Sequence, residues 1–339
     1  MNIAFRVDAA SNIGIGHLMR CLALSEELIQ RNHVCYFLTK IENDELIDLM
    51  KKNSINYQKV NPTATLDEDL DYLINFSNEK DIDWVITDHY DLTTQYIQRI
   101  KQNDLKVLSI DDTALIHYYS NIVLNQNIGS DKLRFSAERY TKFLLGPKYA
   151  IIRNELLKKG ERTERDSAKK LLIMLGGTDE DNFTLKILES LKPFSKNLEF
   201  TVVVGPLNPF YNDIKKYIEE ESLKIKLIRS PENIADLYLG TDIAISAGGS
   251  TCYELAYFGI PNIIITIADN QVNIARELDK QKVSIYLGKK EEIKAEQLKN
   301  KFNELVNNQH LQKNMSKNGK KMVDGKGKER IVDFMEKFS

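Results

Sequence analysis

The feature that most constrains the fold of this chain is a regular alternation of short apolar runs with longer amphipathic stretches. In the first half the apolar runs are rich in β-branched residues, and they are Ile3–Val7, Val34–Thr39, Ile55–Val60, Trp84–Thr87, Val107–Ile110 and Ile122–Leu124. Between them, stretches such as Leu18–Arg31 repeat apolar residues at helical spacing. Because strands that alternate with helices form βαβ units, the pattern predicts a parallel sheet covered on both faces.

The alternation pauses once, over the polar and charged residues 153–170, and then resumes. In the second half the apolar runs are Leu171–Leu175, Phe200–Val204, Ile225–Ile228, Ile243–Ser246, Asn262–Thr266 and Ser284–Leu287. We therefore predict an α/β protein with two Rossmann-like domains, over residues 1–152 and 170–325, joined by a linker at 153–169. A last helical segment follows at 326–339. Ligands of open parallel sheets bind at the carboxyl ends of the strands, so we expect the site in a cleft between the two domains.

Composition excludes several classes of protein. The chain has 339 residues and a net charge of −2, which gives no reason to expect a nucleic-acid partner or an anionic membrane. Its first residues lack the pattern of a signal peptide, and no run approaches the roughly 20 apolar residues of a membrane span. Three widely spaced cysteines (Cys21, Cys35 and Cys252) form no C-x-x-C pair. We expect a cytoplasmic protein without a cofactor and without stable membrane association.

The loop after the first apolar run carries Gly14, Gly16 and His17. The glycines allow a tight turn before a helix whose free amide groups can meet an anion. The loop does not match a dinucleotide fingerprint, because Met19 replaces the third glycine. A helix N-terminus disfavours imidazolium, so a neutral His17 could serve as a base. From spacing alone, a His17 that caps the helix or packs beneath the loop is equally consistent.

The strongest motif is the loop Gly248-Gly249-Ser250-Thr251, which ends one apolar run and starts a helix at once. This arrangement aims backbone amides and hydroxyls at a diphosphate. Glu254 lies within the next turn, where its carboxylate could accept both hydroxyls of a ribose. By spacing alone, a capping box with Thr251 is favoured over the ribose contact.

Weaker motifs accompany that loop. Gly176 and Gly177 follow the first run of the second half and could approach a phosphate or simply form a turn. Acidic residues follow two runs of the first half, at Asp88 and at Asp111-Asp112. Paired carboxylates could bind a metal ion, but helix caps of this composition are more common. We therefore expect no metal site.

Taken together, these motifs make the chain resemble a known family, the UDP-sugar hydrolases of pseudaminic acid biosynthesis, together with similar spore-coat polysaccharide proteins. The family's hydrolase removes UDP from UDP-2,4-diacetamido-2,4,6-trideoxy-β-L-altropyranose. The resemblance spans nearly the whole chain, through Arg6-x-Asp8, Ile13-Gly-x-Gly-His17-x-x-Arg20, Asp88-x-Tyr90, Asp111-Asp112, Leu145-Gly-Pro-x-Tyr149, Leu175-Gly-Gly177, Gly248–Glu254, Asp269-Asn-Gln271 and Val323-Asp-Gly-x-Gly327.

The resemblance implies a glycosyltransferase-B-like fold with two Rossmann-like domains and UDP bound by the second. It implies that His17 is the general base that activates water and that Tyr90 lines the sugar pocket. Asp8, at the end of the strand before His17, is a candidate to orient it. The implied UDP contacts are Gly176, Gly177, Gly248, Gly249, Ser250, Thr251 and Glu254. The implied sugar and phosphate contacts are Gly14, Gly16, Arg20, Asn270 and Gln271. The motif around Gly325 implies a turn that returns the last helix to the first domain.

The implied reaction is an inverting hydrolysis, in which water attacks the anomeric carbon of a UDP-amino sugar. Two alternatives share much of the same sequence. A glycosyltransferase of this fold would need an acceptor in place of water, and a non-catalytic sugar-nucleotide sensor would keep the Gly248–Glu254 loop without needing His17. A dehydrogenase fits less well because the dinucleotide fingerprint fails.

Overall fold

The structure is a computed structural model, and it describes residues 1–9, 15–52, 55–160, 162–163, 167–177, 179, 181–206, 208–231 and 233–338. The chain divides into two compact units. Unit 1 comprises Met1–Arg153 and Lys326–Ser339, and unit 2 comprises Asn154–Gly325. Each unit has its own sheet and its own hydrophobic core.

The strands of the described residues are β1 (Asn2–Val7), β2 (Val34–Thr39), β3 (Asn56–Lys59), β4 (Trp84–Asp88), β5 (Lys106–Ile110), β6 (His117–Tyr118), β7 (Ile122–Asn125), β8 (Ser136–Ala137), β9 (Lys142–Leu145), β10 (Lys170–Met174), β11 (Glu199–Val204), β12 (Ile225–Arg229), β13 (Ile243–Ser246), β14 (Asn262–Thr266) and β15 (Ile285–Lys289).

The helices are α1 (Gly16–Gln30), α2 (Asp44–Lys52), α3 (Leu66–Glu79), α4 (Thr94–Gln102), α5 (Asn154–Leu157), α6 (Phe183–Leu191), α7 (Tyr211–Glu220), α8 (Ile234–Gly240), α9 (Thr251–Phe258), α10 (Val272–Lys280), α11 (Ala295–Asn307), α12 (Gln309–Met322) and α13 (Gly327–Glu336). Short 3-10 turns lie between some of them, including Asp269–Gln271 before α10.

All twelve predicted strands are present in the structure, with ends that differ by one or two residues. The pattern did not reveal β6, β8 and β9. Strands β6 and β8 are two residues long and pair only with each other, so neither is long enough to show an alternation. Strand β9 has the half-exposed sequence Lys-Phe-Leu-Leu at the edge of the unit 1 sheet, where burial does not alternate along the strand.

The sheet of unit 1 has the order β3-β2-β1-β4-β5-β7-β9, and its strand pairs are parallel. Side chains of β1 alternate between two cores. Phe5 packs with α1 and α13, whereas Ala4 packs with α3 and α4. The same alternation along β4 sends Ile86 to the α1 face and Val85 to the α3 face. This two-residue period decides on which face each polar residue at the strand ends lies.

Unit 2 has the order β12-β11-β10-β13-β14-β15, again with parallel pairs. In both units the strand order reverses beside the first strand of the sheet, at β1/β4 in unit 1 and at β10/β13 in unit 2. Ligands of open parallel sheets bind at such switch points. The loops after β1, β4, β10 and β13 therefore carry the candidate site residues.

The segment predicted as a linker, residues 153–169, is partly helical and partly buried in the structure. It begins with the short helix α5 and contains the buried Arg162. The Arg162 guanidinium donates to the carbonyl oxygens of Phe258 (3.3 Å) and Gly259 (2.7 Å). These carbonyls lie at the C-terminal end of α9, so Arg162 acts as a C-terminal cap within unit 2.

Within the described part of the chain, we find no helix with both the length and the apolar content required to cross a bilayer.

Candidate functional site

His17 forms the centre of a buried polar group in unit 1. It is the second residue of α1, and its Nδ1 lies 2.5 Å from Oδ1 of Asp88, at the end of β4. Nη2 of Arg20 lies 3.1 Å from the same nitrogen, but it donates to Asp88 at 2.6 Å. Because a carboxylate only accepts hydrogen bonds, the shorter contact with Asp88 places the proton on Nδ1. The second ring nitrogen, Nε2, then has an available lone pair, and no described residue forms a hydrogen bond with it. In this tautomer Nε2 can accept a proton from water.

The carboxylate of Asp88 is held in its ionised form. Burial raises the pKa of this carboxyl group, but the positive charge of Arg20, the interaction with His17 and hydrogen bonds from both reverse that effect. The net pKa lies well below its ordinary value. A buried carboxylate of this kind orients an imidazole and stabilises the imidazolium that forms when the ring takes up a proton.

Arg20 anchors this carboxylate. Its Nε and Nη2 each donate to Asp88 at 2.6 Å, and its Nη1 donates to Asp112 at 2.9 Å. Arg20 is buried, with 8% of its surface exposed, and all three of its side-chain nitrogens contact carboxylates. The sequence analysis expected Arg20 to contact sugar or phosphate, whereas the structure assigns it to the support of Asp88 and Asp112.

Tyr90 borders the same group. Its ring packs edge-on against the His17 imidazole, with centroids 4.6 Å apart and an interplanar angle of 87°. Its hydroxyl donates to Oδ2 of Asp112 at 3.3 Å, and 41% of the residue is exposed. Tyr90 is therefore both in contact with His17 and accessible, as the prediction that it lines a ligand pocket requires.

Asp8 does not orient His17, and this prediction was wrong. The Asp8 carboxylate accepts from Nη2 of Arg6 (2.8 Å), from the backbone amide of Lys40 (2.6 Å) and from Nε2 of His89 (3.2 Å). The alternation along β1 places Asp8 on the α3 face, whereas His17 lies on the α1 face. Asp88 has the position that the sequence analysis gave to Asp8.

Of the two glycines predicted before His17, Gly14 lies outside the described residues. Gly16 is the first residue of α1, and a Cβ built there would meet no atom within 4 Å. Packing therefore does not demand a glycine at this position.

In unit 2, the loop after β13 is held by Gln271. The amide oxygen of Gln271 accepts from the backbone amides of Gly248 and Ile267, at 3.1 Å each. A Cβ on Gly248 would lie 2.9 Å from the Cβ of Gln271, so only glycine allows this approach. The sequence analysis expected Gln271 to contact the ligand, and the structure shows that its amide oxygen shapes the loop. Asn270 precedes it and is exposed.

The turn into α9 offers free backbone donors. In the described part of the chain, the amides of Gly249, Ser250 and Thr251 donate to no other group. A Cβ on Gly249 would meet no atom within 4 Å, so the space above this residue is open. Free amides at a helix N-terminus form an anion site, and the helix dipole favours negative charge there. This arrangement suits a phosphate group.

Glu254 lies in the first turn of α9 and is buried, with 8% exposed. Its Oε2 accepts a hydrogen bond of 2.7 Å from the hydroxyl of Tyr238. The cap of α9 is Ser250, without a side-chain cap bond, so the alternative capping box of Thr251 and Glu254 does not form. The sequence analysis missed Tyr238, because its contact with Glu254 joins two helices and leaves no pattern in either.

Gly176 and Gly177 follow β10 at the switch point of unit 2. Gly176 has a φ of +99°, a conformation that favours glycine. A Cβ on Gly205, after the neighbouring β11, would lie 2.4 Å from the Cα of Gly177. The two loops therefore approach closely, and this approach requires glycine at position 205.

The acidic residues of unit 1 have partners other than a metal. Asp111 accepts from the backbone amides of Thr113 (2.8 Å) and Ala114 (2.6 Å), forming a local turn. Asp88 and Asp112 are paired with Arg20. The described residues contain no group of three or more potential ligands arranged to hold a metal ion.

The two units, each a parallel sheet with a polar loop cluster at its switch point, define a glycosyltransferase-B-like fold, as the sequence predicted. The crystal structure of MurG from Acinetobacter baumannii superimposes with a TM-score of 0.70 and 15% identity, over 99% of each chain. A model of the glycosyltransferase family 28 C-terminal domain matches residues 171–331.

The chain is similar to the UDP-2,4-diacetamido-2,4,6-trideoxy-β-L-altropyranose hydrolases and the spore coat polysaccharide biosynthesis proteins, the family that its motifs indicated. The hydrolase of Campylobacter jejuni is 28% identical over 83% of this chain and 97% of its own length. Spore coat polysaccharide biosynthesis protein SpsG of Bacillus subtilis is 24% identical over 99% of this chain and 98% of its own length.

A third relative, an uncharacterised protein of Methanocaldococcus jannaschii, is 32% identical over 78% of this chain. The chain spans about half of that relative's length, 55%.

Proposed function

We propose that this protein hydrolyses a UDP-linked amino sugar, UDP-2,4-diacetamido-2,4,6-trideoxy-β-L-altropyranose or a close analogue, to the free sugar and UDP. The observation that carries this proposal is the buried contact of His17 Nδ1 with Asp88, which leaves Nε2 as the proton acceptor. The Campylobacter relative is named as a hydrolase of this substrate.

In the proposed reaction, unit 2 binds UDP and unit 1 supplies the base. The free amides of Gly249, Ser250 and Thr251 hold the diphosphate, and Glu254 accepts hydrogen bonds from the ribose hydroxyls. UDP departs as an anion, and a diphosphate needs no proton from a general acid. The amides at the start of α9 stabilise the negative charge that develops as UDP leaves.

The water molecule gives one proton to Nε2 of His17 while its oxygen bonds to the anomeric carbon and the bond to UDP breaks. Asp88 stabilises the imidazolium that results, and Arg20 keeps Asp88 in place. A single displacement inverts the configuration at the anomeric carbon. The proton then leaves His17 to solvent, and the neutral imidazole is restored.

A glycosyltransferase is the second candidate, and the match to the family 28 C-terminal domain favours it. That match spans residues 171–331, of which all but the last six lie in unit 2, the unit that we assign to the nucleotide. It therefore bears on which donor is bound, and less on whether water or a sugar hydroxyl attacks. A non-catalytic binding protein would have no need of the His17–Asp88 pair.

The test is incubation of the purified chain with a panel of UDP-amino sugars in ¹⁸O-labelled water, without an acceptor. We expect release of UDP, the label on the sugar, and the inverted anomer in early NMR spectra. Label in the UDP would mean attack at phosphorus and would contradict the role of His17. Release of UDP only after an acceptor is added would identify a transferase, and binding without turnover would identify a sensor.

A further inference from the structure

We propose that unit 1 carries a second ligand site, in a cavity on the α3 face of its sheet, and that this site binds the acylamino group of a small molecule. In the proposed complex, the amide carbonyl accepts hydrogen bonds from Arg6 and Lys40, and the acyl methyl packs on an apolar wall. The site lies on the opposite face of the sheet from His17, and it does not depend on the reaction proposed above.

The cavity has a volume of about 370 Å³ and opens at the carboxyl ends of β1, β2 and β4. This volume lies within the range of roughly 300–1,000 Å³ typical of small-molecule sites. Its polar lining includes Arg6, Lys40 and His89, and its apolar lining includes Pro62, Leu66 and Leu92. The described residues that line the cavity all belong to unit 1.

Arg6 gives the first indication of a missing acceptor. Its Nε and Nη2 donate to Asp69 at 2.9 Å and 2.7 Å, and Nη2 also donates to Asp8 at 2.8 Å. Its Nη1 is buried and has no hydrogen-bond partner among the described residues, although Arg6 is only 2% exposed. Buried polar atoms without a partner are rare, and Arg6 is one of the residues that line the cavity.

Lys40 supplies a second donor in the same lining. Its Nζ donates to the carbonyl oxygen of Ala64 at 2.9 Å and lies 3.4 Å from Oδ2 of Asp69. An ammonium group has three N–H donors, so one remains for a ligand. The side chain is 22% exposed, and a bound molecule can therefore reach it.

Asp8 and His89, which also line the cavity, already have hydrogen-bond partners. The Asp8 carboxylate accepts from Arg6, from His89 and from the backbone amide of Lys40. Nδ1 of His89 accepts from the amide of Asp91 at 3.1 Å, which leaves its Nε2 proton for Asp8. Apart from the exposed carboxylate of Asp91, the polar groups of the lining that remain for a ligand are donors, which suit an acceptor group.

The charge balance favours a neutral acceptor over an anion. The positive charges of Arg6 and Lys40 are matched by the negative charges of Asp8 and Asp69, which they contact. A phosphate or carboxylate would bring an uncompensated negative charge into this group. An amide carbonyl accepts two hydrogen bonds without adding charge, and its acyl methyl suits the wall of Pro62, Leu66 and Leu92.

The experiment compares probes that differ only in the acyl group. Saturation-transfer NMR on the full chain would use N-acetyl-D-glucosamine, D-glucosamine and inorganic phosphate, with titrations to obtain Kd. We expect the N-acetyl methyl protons of the first probe to show the strongest transfer. Lys40→Met keeps the aliphatic stem and removes the donor, and Ala64→Leu fills the cavity. Each should weaken binding about tenfold or more.

Lys59→Met is the matched control, because Lys59 is an exposed lysine of β3 that pairs with Glu42 outside the cavity. Its Kd should equal that of the wild type. The proposal is overturned if the Kd is insensitive to both cavity variants, if D-glucosamine binds equally well, or if phosphate displaces the N-acetyl probe.

The same titration with UDP-N-acetylglucosamine distinguishes the two sources of the acylamino group. If Lys40→Met weakens the binding of UDP-N-acetylglucosamine more than that of the free sugar, the acylamino group belongs to the nucleotide-linked substrate. If Lys40→Met weakens the binding of the free sugar alone, the cavity binds a separate metabolite. Because these measurements record binding and no turnover, their failure leaves the proposal for His17 to its own test.

Discussion

Asp88 and His89 are consecutive residues at the end of β4, and they belong to two different polar groups on opposite faces of the sheet. Asp88 contacts Nδ1 of His17 at 2.5 Å, whereas Nε2 of His89 lies 3.2 Å from Asp8. The backbone geometry of a strand imposes this division, since successive side chains point to opposite faces. One strand end therefore organises the candidate catalytic pair and one wall of the second cavity.

The first prediction concerns His17 itself. His17→Asn should lower kcat by roughly 10²–10⁴-fold, the usual effect of losing a general base. The affinity for UDP should stay within twofold of the wild type, because we assign UDP to unit 2. Steady-state kinetics and calorimetry measure the two quantities. His310→Asn, at a histidine of α12 in unit 2, is the control, and near-normal turnover of His17→Asn would remove the assignment.

The second prediction separates Asp88 from Asp8. Asp88→Asn keeps the size of the side chain but removes the charge that stabilises imidazolium, so kcat should fall by about 10²–10⁴-fold. Asp8→Asn removes a charge of the same kind on the other face, and its effect on kcat should be much smaller. Circular dichroism would check that both variants fold. A larger loss of kcat in Asp8→Asn would restore the role first predicted for Asp8.

The third prediction concerns stability in acid. Burial raises the pKa of Asp88, but Arg20 and His17 outweigh it, so the folded-state pKa lies below the value of about 3.9 expected in an unfolded chain. A carboxyl group whose pKa is lower in the folded state stabilises that state at pH values above the unfolded-state pKa. This stabilisation is lost as the pH falls from the unfolded-state pKa through the folded-state pKa. Urea unfolding between pH 7 and pH 3 should therefore show a decline below about pH 4 that is shallower in Asp88→Asn. Equal declines in the two proteins would exclude this contribution.

The fourth prediction concerns Glu254 and UDP. A charged hydrogen bond to the ribose contributes roughly 1.5–3 kcal/mol, so Glu254→Gln should weaken UDP binding by about ten- to a hundredfold. Tyr238→Phe keeps the carboxylate but removes the hydroxyl that positions it, and we expect a smaller loss. Calorimetry measures both. Unchanged UDP affinity together with a lowered Tm in Glu254→Gln would mean that the carboxylate serves only the fold.

The fifth prediction is that activity needs no metal ion. We assign the positive field at the diphosphate to backbone amides at the start of α9, the part that Mg²⁺ plays in many other enzymes. Turnover after exhaustive EDTA treatment should match that of the untreated protein. Loss of turnover that Mg²⁺ or Mn²⁺ restores would point to Asp88, Asp111 or Asp112 as ligands.

Much of this architecture could be predicted from the sequence, because it depends on local periodicity. Buried parallel strands need continuous apolar runs, and helices that cover them need an apolar stripe, so every strand of the two main sheets except the edge strand β9 left a pattern. The loop Gly248–Thr251 was recognisable for a related reason, since a strand that ends in glycines just before a helix has few other uses. The short strands β6 and β8 left no pattern.

The partners of the site residues required the tertiary structure. The sequence analysis named Asp8 as the residue that orients His17. The alternation of side chains along β1 and β4 places Asp8 on the α3 face and Asp88 on the α1 face, where His17 lies. Arg20 resembled a ligand contact until the fold placed Asp88 and Asp112 around it. Tyr238 reached Glu254 only after α8 packed on α9. Strand and helix periods are properties of neighbouring residues, whereas a hydrogen bond between distant residues depends on how the elements pack, and packing is decided by the whole chain.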